Sequence, residues 1–272
     1  MTQWYYTSTG DLYHHGIKGQ KWGVRRFQKK DGSLTPEGAK RYADGAKEGR
    51  DYKDYGDGRI EIKKGTNLQR LVGANNKQDL SGTTYASFTK HDNNSYLKVI
   101  TGKGFLGGGR DTKLTLKTTA DLKSPSTNDA AKMFFKMLKN NPDLAETYSK
   151  TMFGRKYSDK ELDSAINGEL SKKMLEEYQM ANSSFMFTDD DSRKVKNAYY
   201  DVVSKNGYNM LRDENDVESG YAKAPVILLN CEKTVKLEKT ESINKDMRKS
   251  AKEYTKMYKK HGEDWMKKHG LT

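Results

Sequence analysis

The stretch Lys113-Leu-Thr-Leu-Lys-Thr-Thr119 alternates between apolar and polar residues. Alternate residues of an extended chain point to opposite faces, so this period of two predicts a β-strand with one buried face. Extended stretches also precede it at residues 60–62, 68–72 and 83–89, whereas residues 96–100 fit either a strand or the end of a short helix. The first part of the chain therefore predicts mainly strands.

Beyond residue 120 the apolar residues recur at helical spacing. Ser126 or Thr127 is a typical N-cap for the first helix, which ends before Pro142, and Asn206-Gly207 is a typical stop for the last. Further helices are predicted at residues 143–152, 158–180 and 191–205, and strands return at residues 208–212 and 225–230. Strands, helices and again strands, without β–α alternation, predict an α+β fold.

The composition predicts a folded core that is shorter than the chain. Apolar residues make up 33% of the 272 residues and charged residues 32%, which favours a core of about 150–190 residues with flanking arms. We expect a basic docking segment at residues 1–58, a folded domain at residues 59–243 and a basic amphipathic helix at residues 244–272. The expected joint is the Gly-rich stretch Asp54-Tyr-Gly-Asp-Gly.

The net charge of +13 is concentrated at the two ends of the chain. Residues 1–64 hold 14 basic and 9 acidic side chains, residues 65–243 hold 27 and 24, and residues 244–272 hold 9 and 4. Cationic arms on a near-neutral body predict docking to nucleic acid or to an acidic protein surface. The alternative is solvated charge that keeps the arms soluble.

Several kinds of site are disfavoured by the residue types present. The only cysteine, Cys231, excludes an internal disulfide and follows an apolar run, which predicts a buried thiol. The adjacent His14 and His15 have no third ligand near them in sequence, so we expect no metal site. The glycines of residues 102–107 lead into a strand rather than a helix, which predicts a hairpin loop instead of a dinucleotide-binding turn. We also expect no membrane association, since no apolar stretch approaches about 20 residues.

Residues 12–28, Leu-Tyr-His-His-Gly-Ile-Lys-Gly-Gln-Lys-Trp-Gly-Val-Arg-Arg-Phe-Gln, resemble a segment that recurs in phage and prophage proteins. The resemblance implies a phage structural protein or a host protein as partner, and a location in the host bacterial cytoplasm or in the virion. Trp22 and Phe27 are aromatic anchors beside Arg25 and Arg26, which is the composition of a docking peptide that orders on contact with a partner. The alternative is a strand and turn packed on its own domain.

A second resemblance extends over residues 59–243. A strand ends at Arg70, the next strand reads Thr84-Tyr-Ala-Ser-Phe-Thr89, and Gly207-Tyr-Asn precedes a polar turn and a final apolar strand. This order is similar to the ADP-ribosyltransferase-like fold, a split antiparallel sheet with, here, an inserted helical block. The resemblance implies NAD as the cofactor, held by Arg70, Tyr85, Ser87 and Thr89.

The catalytic glutamate of that family directly precedes the final apolar strand, where this chain has Ala224-Pro225. The resemblance therefore assigns catalysis to a carboxylate of the preceding turn, Glu218 or Glu214. Asp216 lies in the same turn and Glu232 lies beyond the strand; the alternative for the turn residues is surface charge. Two functions stay open: an NAD-binding ADP-ribosyltransferase-like protein that modifies a host target, and a non-enzymatic virion-associated, head-associated or counter-defence binding protein.

Overall fold

The computed structural model describes residues 5–6, 12–13, 51–73, 80, 82–100, 110–167, 170–184 and 189–271. The chain divides into two compact units, Met1–Arg50 and Asp51–Thr272. In the first unit, strands β1 (Tyr5–Tyr6) and β2 (Leu12–Tyr13) form an antiparallel pair. The second unit begins upstream of the expected joint at residue 58, because residues 52–54 form a strand that pairs with residues 60–62.

The strands of the second unit are β3 (Tyr52–Asp54), β4 (Ile60–Ile62), β5 (Asn67–Gly73), β6 (Thr84–Ala86), β7 (Arg110–Thr118), β8 (Leu122–Lys123), β9 (Met210–Arg212), β10 (Val226–Leu228) and β11 (Val235–Ser242). They form three antiparallel sheets of three strands each, in the orders β3-β4-β8, β11-β7-β5 and β6-β10-β9. Small antiparallel sheets beside a large helical content confirm the predicted α+β class.

The helices of the second unit are α1 (Lys90–Ile100), α2 (Thr127–Asn140), α3 (Pro142–Ser149), α4 (Asp159–Ile166), α5 (Lys172–Ser184), α6 (Asp190–Lys205), α7 (Glu214–Glu218), α8 (Cys231–Thr234) and α9 (Lys245–Lys268). Ser126 caps α2 by accepting a hydrogen bond from the Asp129 N–H, as predicted. Among the described residues, no helix is both long enough and apolar enough to cross a membrane.

Strand β7, the predicted strand at residues 113–119, is the centre of its sheet. Leu114 and Leu116 are fully buried, and both neighbours of β7 are edge strands. One neighbour, β11, is not predicted by the sequence, because almost all of its side chains are exposed. It is held by backbone pairing and by cross-strand ion pairs such as Lys113–Glu241 at 2.9 Å.

Two apolar cores lie on opposite faces of the sheet β6-β10-β9. Ile227 and Leu211 contribute to the helical core, which is dominated by fully buried aromatic rings: Phe134, Phe135, Tyr148, Tyr178 and Tyr199. Val226 and Leu228 contribute to the sheet core, which contains mainly aliphatic residues of the strands. Because successive residues of a strand point to opposite faces, one short strand, β10, supplies both cores.

The helix predicted over residues 158–180 is wrong as a single element. The chain forms α4 and α5 instead, and α4 ends at Ile166 with Asn167 as its C-cap. Asn167-Gly168 is the same kind of dipeptide as Asn206-Gly207, where Gly207 has a φ of +86° and α6 ends. The apolar period of the sequence continues beyond Asn167, so this period alone does not mark the end of α4.

Most of the basic C-terminal segment forms α9, which packs against α1. Ala251 and Tyr254 are buried in this contact, and Ala251 lies in an apolar cluster with Leu71 and Leu97. Gly262 has a φ of 80° and a ψ of 173°, which interrupts the helical backbone. Buried residues lie on both sides of this interruption: Ala251 and Tyr254 before Gly262, and Met266 after it.

Candidate functional site

A single backbone bridge joins β5 to Ser87, the residue that follows β6. The Gln69 N–H donates to the Ser87 carbonyl at 2.7 Å, and the Ser87 N–H donates back to the Gln69 carbonyl at 2.9 Å. Apart from this bridge, β5 pairs with β7 and β6 pairs with β10, in two different sheets. The bridge therefore joins two sheets that diverge from that point.

Arg70 reaches across this divergence. Its Nη1 donates a hydrogen bond to the hydroxyl of Thr84, the first residue of β6. Thr84 is fully buried and Arg70 is partly buried. The strand alternation places Arg70 on the same face of β5 as Leu68 and Val72, two members of the sheet core. The guanidinium is therefore held at the rim of the sheet core, between two strands.

Cys231 and Glu232, at the start of α8, lie beside this contact. Burial raises the pKa of the Cys231 thiol. A hydrogen bond with Thr84 and the positive charge of Arg70 oppose this increase, and the negative charge of Glu232 adds to it. The Glu232 carboxylate is exposed and accepts a hydrogen bond from the Gly82 N–H at 3.2 Å. Arg70, Thr84, Cys231 and Glu232 are called the Arg70 cluster below.

Tyr85 lies on the opposite face of β6 from Thr84. Tyr85 is 40% exposed, yet its hydroxyl lies close to that of the buried Tyr200. Burial of the hydroxyl, together with the negative charges of Asp213 and Asp216, raises the pKa of Tyr85 to about 12. The hydroxyl therefore points inward, while another part of the side chain contacts solvent.

Ser87 and Thr89 support the start of α1. The Ser87 hydroxyl is buried and donates to the Asn93 side-chain oxygen at 2.6 Å. The Thr89 hydroxyl accepts a hydrogen bond from the Asp92 N–H at 3.0 Å, which is typical N-cap geometry. In this conformation, both hydroxyls are therefore engaged with α1, although the backbone of Ser87 forms the bridge to β5.

Glu214 and Glu218 lie on α7 and contact the helical block. Glu214 is only 3% exposed, accepts a hydrogen bond from the Thr127 hydroxyl at 2.6 Å, and has a pKa raised by burial. Glu218 is exposed and accepts from the Gln179 amide at 3.2 Å. These hydrogen bonds tie the two glutamates to α2 and α5, whereas Glu232 lies with the Arg70 cluster.

The structure also brings together carboxylates that sequence reasoning missed. Asp92 is fully buried and accepts hydrogen bonds from the N–H groups of Lys223 and Ala224 at 2.8 and 2.9 Å. Asp216 accepts a hydrogen bond from the Tyr96 hydroxyl. Burial and the neighbouring Asp216 raise the pKa of Asp213 to about 7. Asp92, Tyr96, Asp213 and Asp216 are called the acidic junction below.

A sequence signal existed for only part of the acidic junction. The run Asp213-Glu-Asn-Asp216 resembles an acidic first helical turn, and Asp213 does cap α7. Nothing local links that turn to Asp92, which is more than a hundred positions away in sequence. Within the described residues, no group of three or more histidine, cysteine, aspartate or glutamate side chains has the placement needed to hold a metal ion.

Two sequence predictions concern residues outside the described ranges. The first prediction is that a partner binds at Trp22, Arg25, Arg26 and Phe27. The second is the hairpin loop at the glycines of residues 102–107. Among the predicted site residues, Arg70 lies beside Thr84 and Cys231, and Tyr85 lies beside Tyr200. Ser87 and Thr89 contact α1 instead, and both predicted glutamates contact the helical block.

Comparisons with protein-family models, with curated proteins and with solved structures give no match to this chain.

Proposed function

We propose that the second unit is an ADP-ribosyltransferase-like domain that binds NAD where β5 and β6 diverge. The observation that carries this proposal is the reach of Arg70 across the gap to Thr84, directly beside the Gln69–Ser87 bridge. A guanidinium donates to two oxygens of a phosphate at once, so Arg70 suits the pyrophosphate of NAD. In the proposed complex, the dinucleotide lies along the rim where these two sheets separate.

Glu232 is the carboxylate that this geometry favours for catalysis. It is exposed and accepts a hydrogen bond from the Gly82 N–H, two residues before Thr84, whereas Glu214 is buried against Thr127. In the proposed reaction, the bond between nicotinamide and the ribose C1′ breaks and nicotinamide leaves with the bonding electrons. The carboxylate of Glu232 stabilises the positive charge on the ribose, as carboxylates do in glycoside cleavage, and the acceptor then bonds to C1′ and releases its proton.

The test combines NAD binding with transfer of labelled ADP-ribose to host-cell proteins. We expect NAD to raise the melting temperature of the wild-type chain, and Arg70→Gln to abolish that increase because the phosphate loses its guanidinium. Glu232→Gln should keep NAD binding and lose transfer by a factor of at least about a hundred, since charge stabilisation acts mainly in the transition state. Glu218→Gln is the matched control, and it should keep both.

Two outcomes would refute the proposed function. The first is a wild-type chain whose melting temperature and heat of mixing do not change with NAD. The second is NAD binding that survives Arg70→Gln with unchanged affinity. Loss of transfer in Glu218→Gln but not in Glu232→Gln would keep the activity and return catalysis to the glutamate implied by the family resemblance.

A second candidate function is a non-enzymatic, virion-associated protein that docks onto a phage structural protein or a host protein. It is favoured by the division of the chain after Arg50, which leaves Trp22, Arg25, Arg26 and Phe27 in a unit of their own. We expect deletion of residues 1–50 to abolish association with virions while leaving the second unit folded. Unchanged association after this deletion would contradict this candidate.

A further inference from the structure

Helix α9 has one face packed and the opposite face in solvent. Ala251 is fully buried and Tyr254 is 6% exposed on the side that contacts α1. Tyr258 extends this side and packs its ring on His91, with the two ring centroids 3.9 Å apart. Most of the apolar surface of α9 is therefore already used within the chain, although Met257 is 37% exposed, and the polar side of the helix is open to a partner.

Five lysines follow the solvent side of α9 at spacings of four, three, four and three residues: Lys245, Lys249, Lys252, Lys256 and Lys259. At 3.6 residues per turn, this spacing places all five along one side of the helix. All five are exposed. With a rise of 1.5 Å per residue, the row extends over about 21 Å. These residues are called the lysine stripe below.

The charges of the lysine stripe are not neutralised within the described part of the chain, where none of the five has a carboxylate within 4 Å. The acidic residues Asp246 and Glu253 of the same helix lie about a quarter turn away from the stripe. Glu263 is committed elsewhere, because it pairs with Lys223 and Lys267, both at 2.6 Å. The stripe is therefore a row of like charges that repel one another until an anion binds.

We infer that the lysine stripe binds nucleic acid through its phosphates, independently of base sequence. A regular row of unpaired cations matches the regular row of charges on a nucleic-acid backbone, and binding releases the counterions of both. An anionic membrane would require apolar residues on the binding face, and the apolar face of α9 is turned towards α1. This activity is separate from the proposed NAD site and does not depend on it.

The experiment measures the affinity of the full-length chain for a labelled duplex DNA over a series of salt concentrations. The test variant replaces Lys249, Lys252 and Lys256 with glutamine. The matched control replaces Lys160, Lys194 and Lys205, exposed lysines of α4 and α6, and it therefore has the same net charge. Circular dichroism of both variants checks that their helices are retained.

We expect the stripe variant to bind roughly tenfold or more weakly at moderate salt, while the control stays within about twofold of the wild type. The slope of log affinity against log salt should fall by about 0.9 for each stripe lysine removed. Equal weakening in both variants would overturn the inference, since only net charge would then matter. Polyglutamate serves as a second probe. If the stripe variant loses binding to polyglutamate but binds DNA as the wild type does, the inference is also overturned, because the partner would then be an acidic protein.

Discussion

The helical core and the acidic junction both bury tyrosines, but they satisfy the hydroxyls differently. In the helical core, the hydroxyls of Tyr178 and Tyr199 lie 2.8 Å apart, and Tyr199 donates to the Ala130 carbonyl at 3.1 Å. In the acidic junction, Tyr96 donates to the carboxylate of Asp216. The first arrangement contains only neutral groups at ordinary pH, whereas the second lies beside Asp213, a carboxyl whose pKa is raised to about 7.

The comparison teaches that similar burial gives stability in one region and proton sensitivity in the other. Burial raises the pKa of Tyr199 far above the range in which proteins are studied, so the helical core does not titrate. Burial likewise raises the pKa of Asp213, but its value of about 7 lies within the working range. A buried carboxyl therefore couples folding to pH where a buried phenol does not.

The largest expected effect belongs to the helical core. Phe134 contacts the rings of Tyr148, Tyr199 and Tyr178 at centroid distances of 5.2, 5.4 and 5.8 Å. Phe134→Ala should lower the free energy of unfolding by about 3–5 kcal/mol, because it leaves a cavity among rings that cannot collapse. Urea denaturation measures this change. Met152→Ala, at a side chain that is 70% exposed, is the control and should change it by less than about 0.5 kcal/mol.

A smaller loss is expected at the acidic junction from Asp92→Ala. This change removes the acceptor of two buried N–H groups, those of Lys223 and Ala224, and should cost about 2–3 kcal/mol. Hydrogen exchange at these two amides should accelerate well beyond exchange at the Leu228 amide in β10. Equal acceleration at all three sites would indicate global unfolding instead of a local role for Asp92.

The sharpest contrast between the two regions is the pH dependence of Asp213→Asn. The folded pKa of Asp213 is raised above the unfolded value of 3.8, so the folded state binds more protons between pH 4 and 7. The contribution of Asp213 to the free energy of unfolding should therefore fall as pH rises through this window, by less than about 1.4 kcal/mol per pH unit for one proton. The asparagine side chain cannot titrate, so the variant should gain stability relative to the wild type as pH rises.

The matched control for Asp213→Asn is Asp189→Asn at the N-cap of α6. Both aspartates cap a helix, but hydrogen bonds from Ser192 lower the pKa of Asp189, which is exposed. Its stabilising contribution is present above pH 4 and is lost as pH falls through the folded pKa. The two variants should therefore change the pH profile of stability in opposite senses, as measured by denaturation at several pH values. Parallel changes would contradict the assigned difference between the two sites.

The smallest effect is expected for Tyr199→Phe in the helical core. Removing this hydroxyl breaks its hydrogen bonds with Tyr178 and Ala130 and should cost about 1 kcal/mol. Because all the partners are neutral, the loss measured by urea denaturation should be the same at pH 5 and at pH 8. A loss that varies with pH would show that the helical core is coupled to a titrating group after all.

Much of the local structure follows from short stretches of sequence. The alternation at residues 113–119 predicts β7, Ser126 predicts the start of α2, and Asn206-Gly207 predicts the end of α6. Strand β11 escapes prediction because its exposed, charged residues carry no apolar period. Its position depends on the edge that β7 offers, which is a property of the assembled sheet.

The candidate site, like the fold, is predicted by the sequence only in part. The family resemblance predicts that the strand of Arg70 lies beside the Tyr-x-Ser-x-Thr stretch, and the structure has a Gln69–Ser87 bridge between these two segments. Sequence could not show that Thr84 meets Arg70, that Ser87 and Thr89 contact α1, or that Glu214 contacts Thr127. Each of these contacts depends on which face of a strand or helix is turned to a distant segment.

The sequence by itself determined the α+β class, the principal strands and helices, and the concentration of cations at both ends, because each depends on residues close together in the chain. Only the tertiary structure decided which carboxylates share a site: Asp92 with the loop at residues 223–224, Asp216 with Tyr96, and Glu232 with the Arg70 cluster. The physical reason is that burial and charge–charge distances are set by strand register and helix packing, so pKa values and hydrogen-bond partners emerge only when segments far apart in sequence meet.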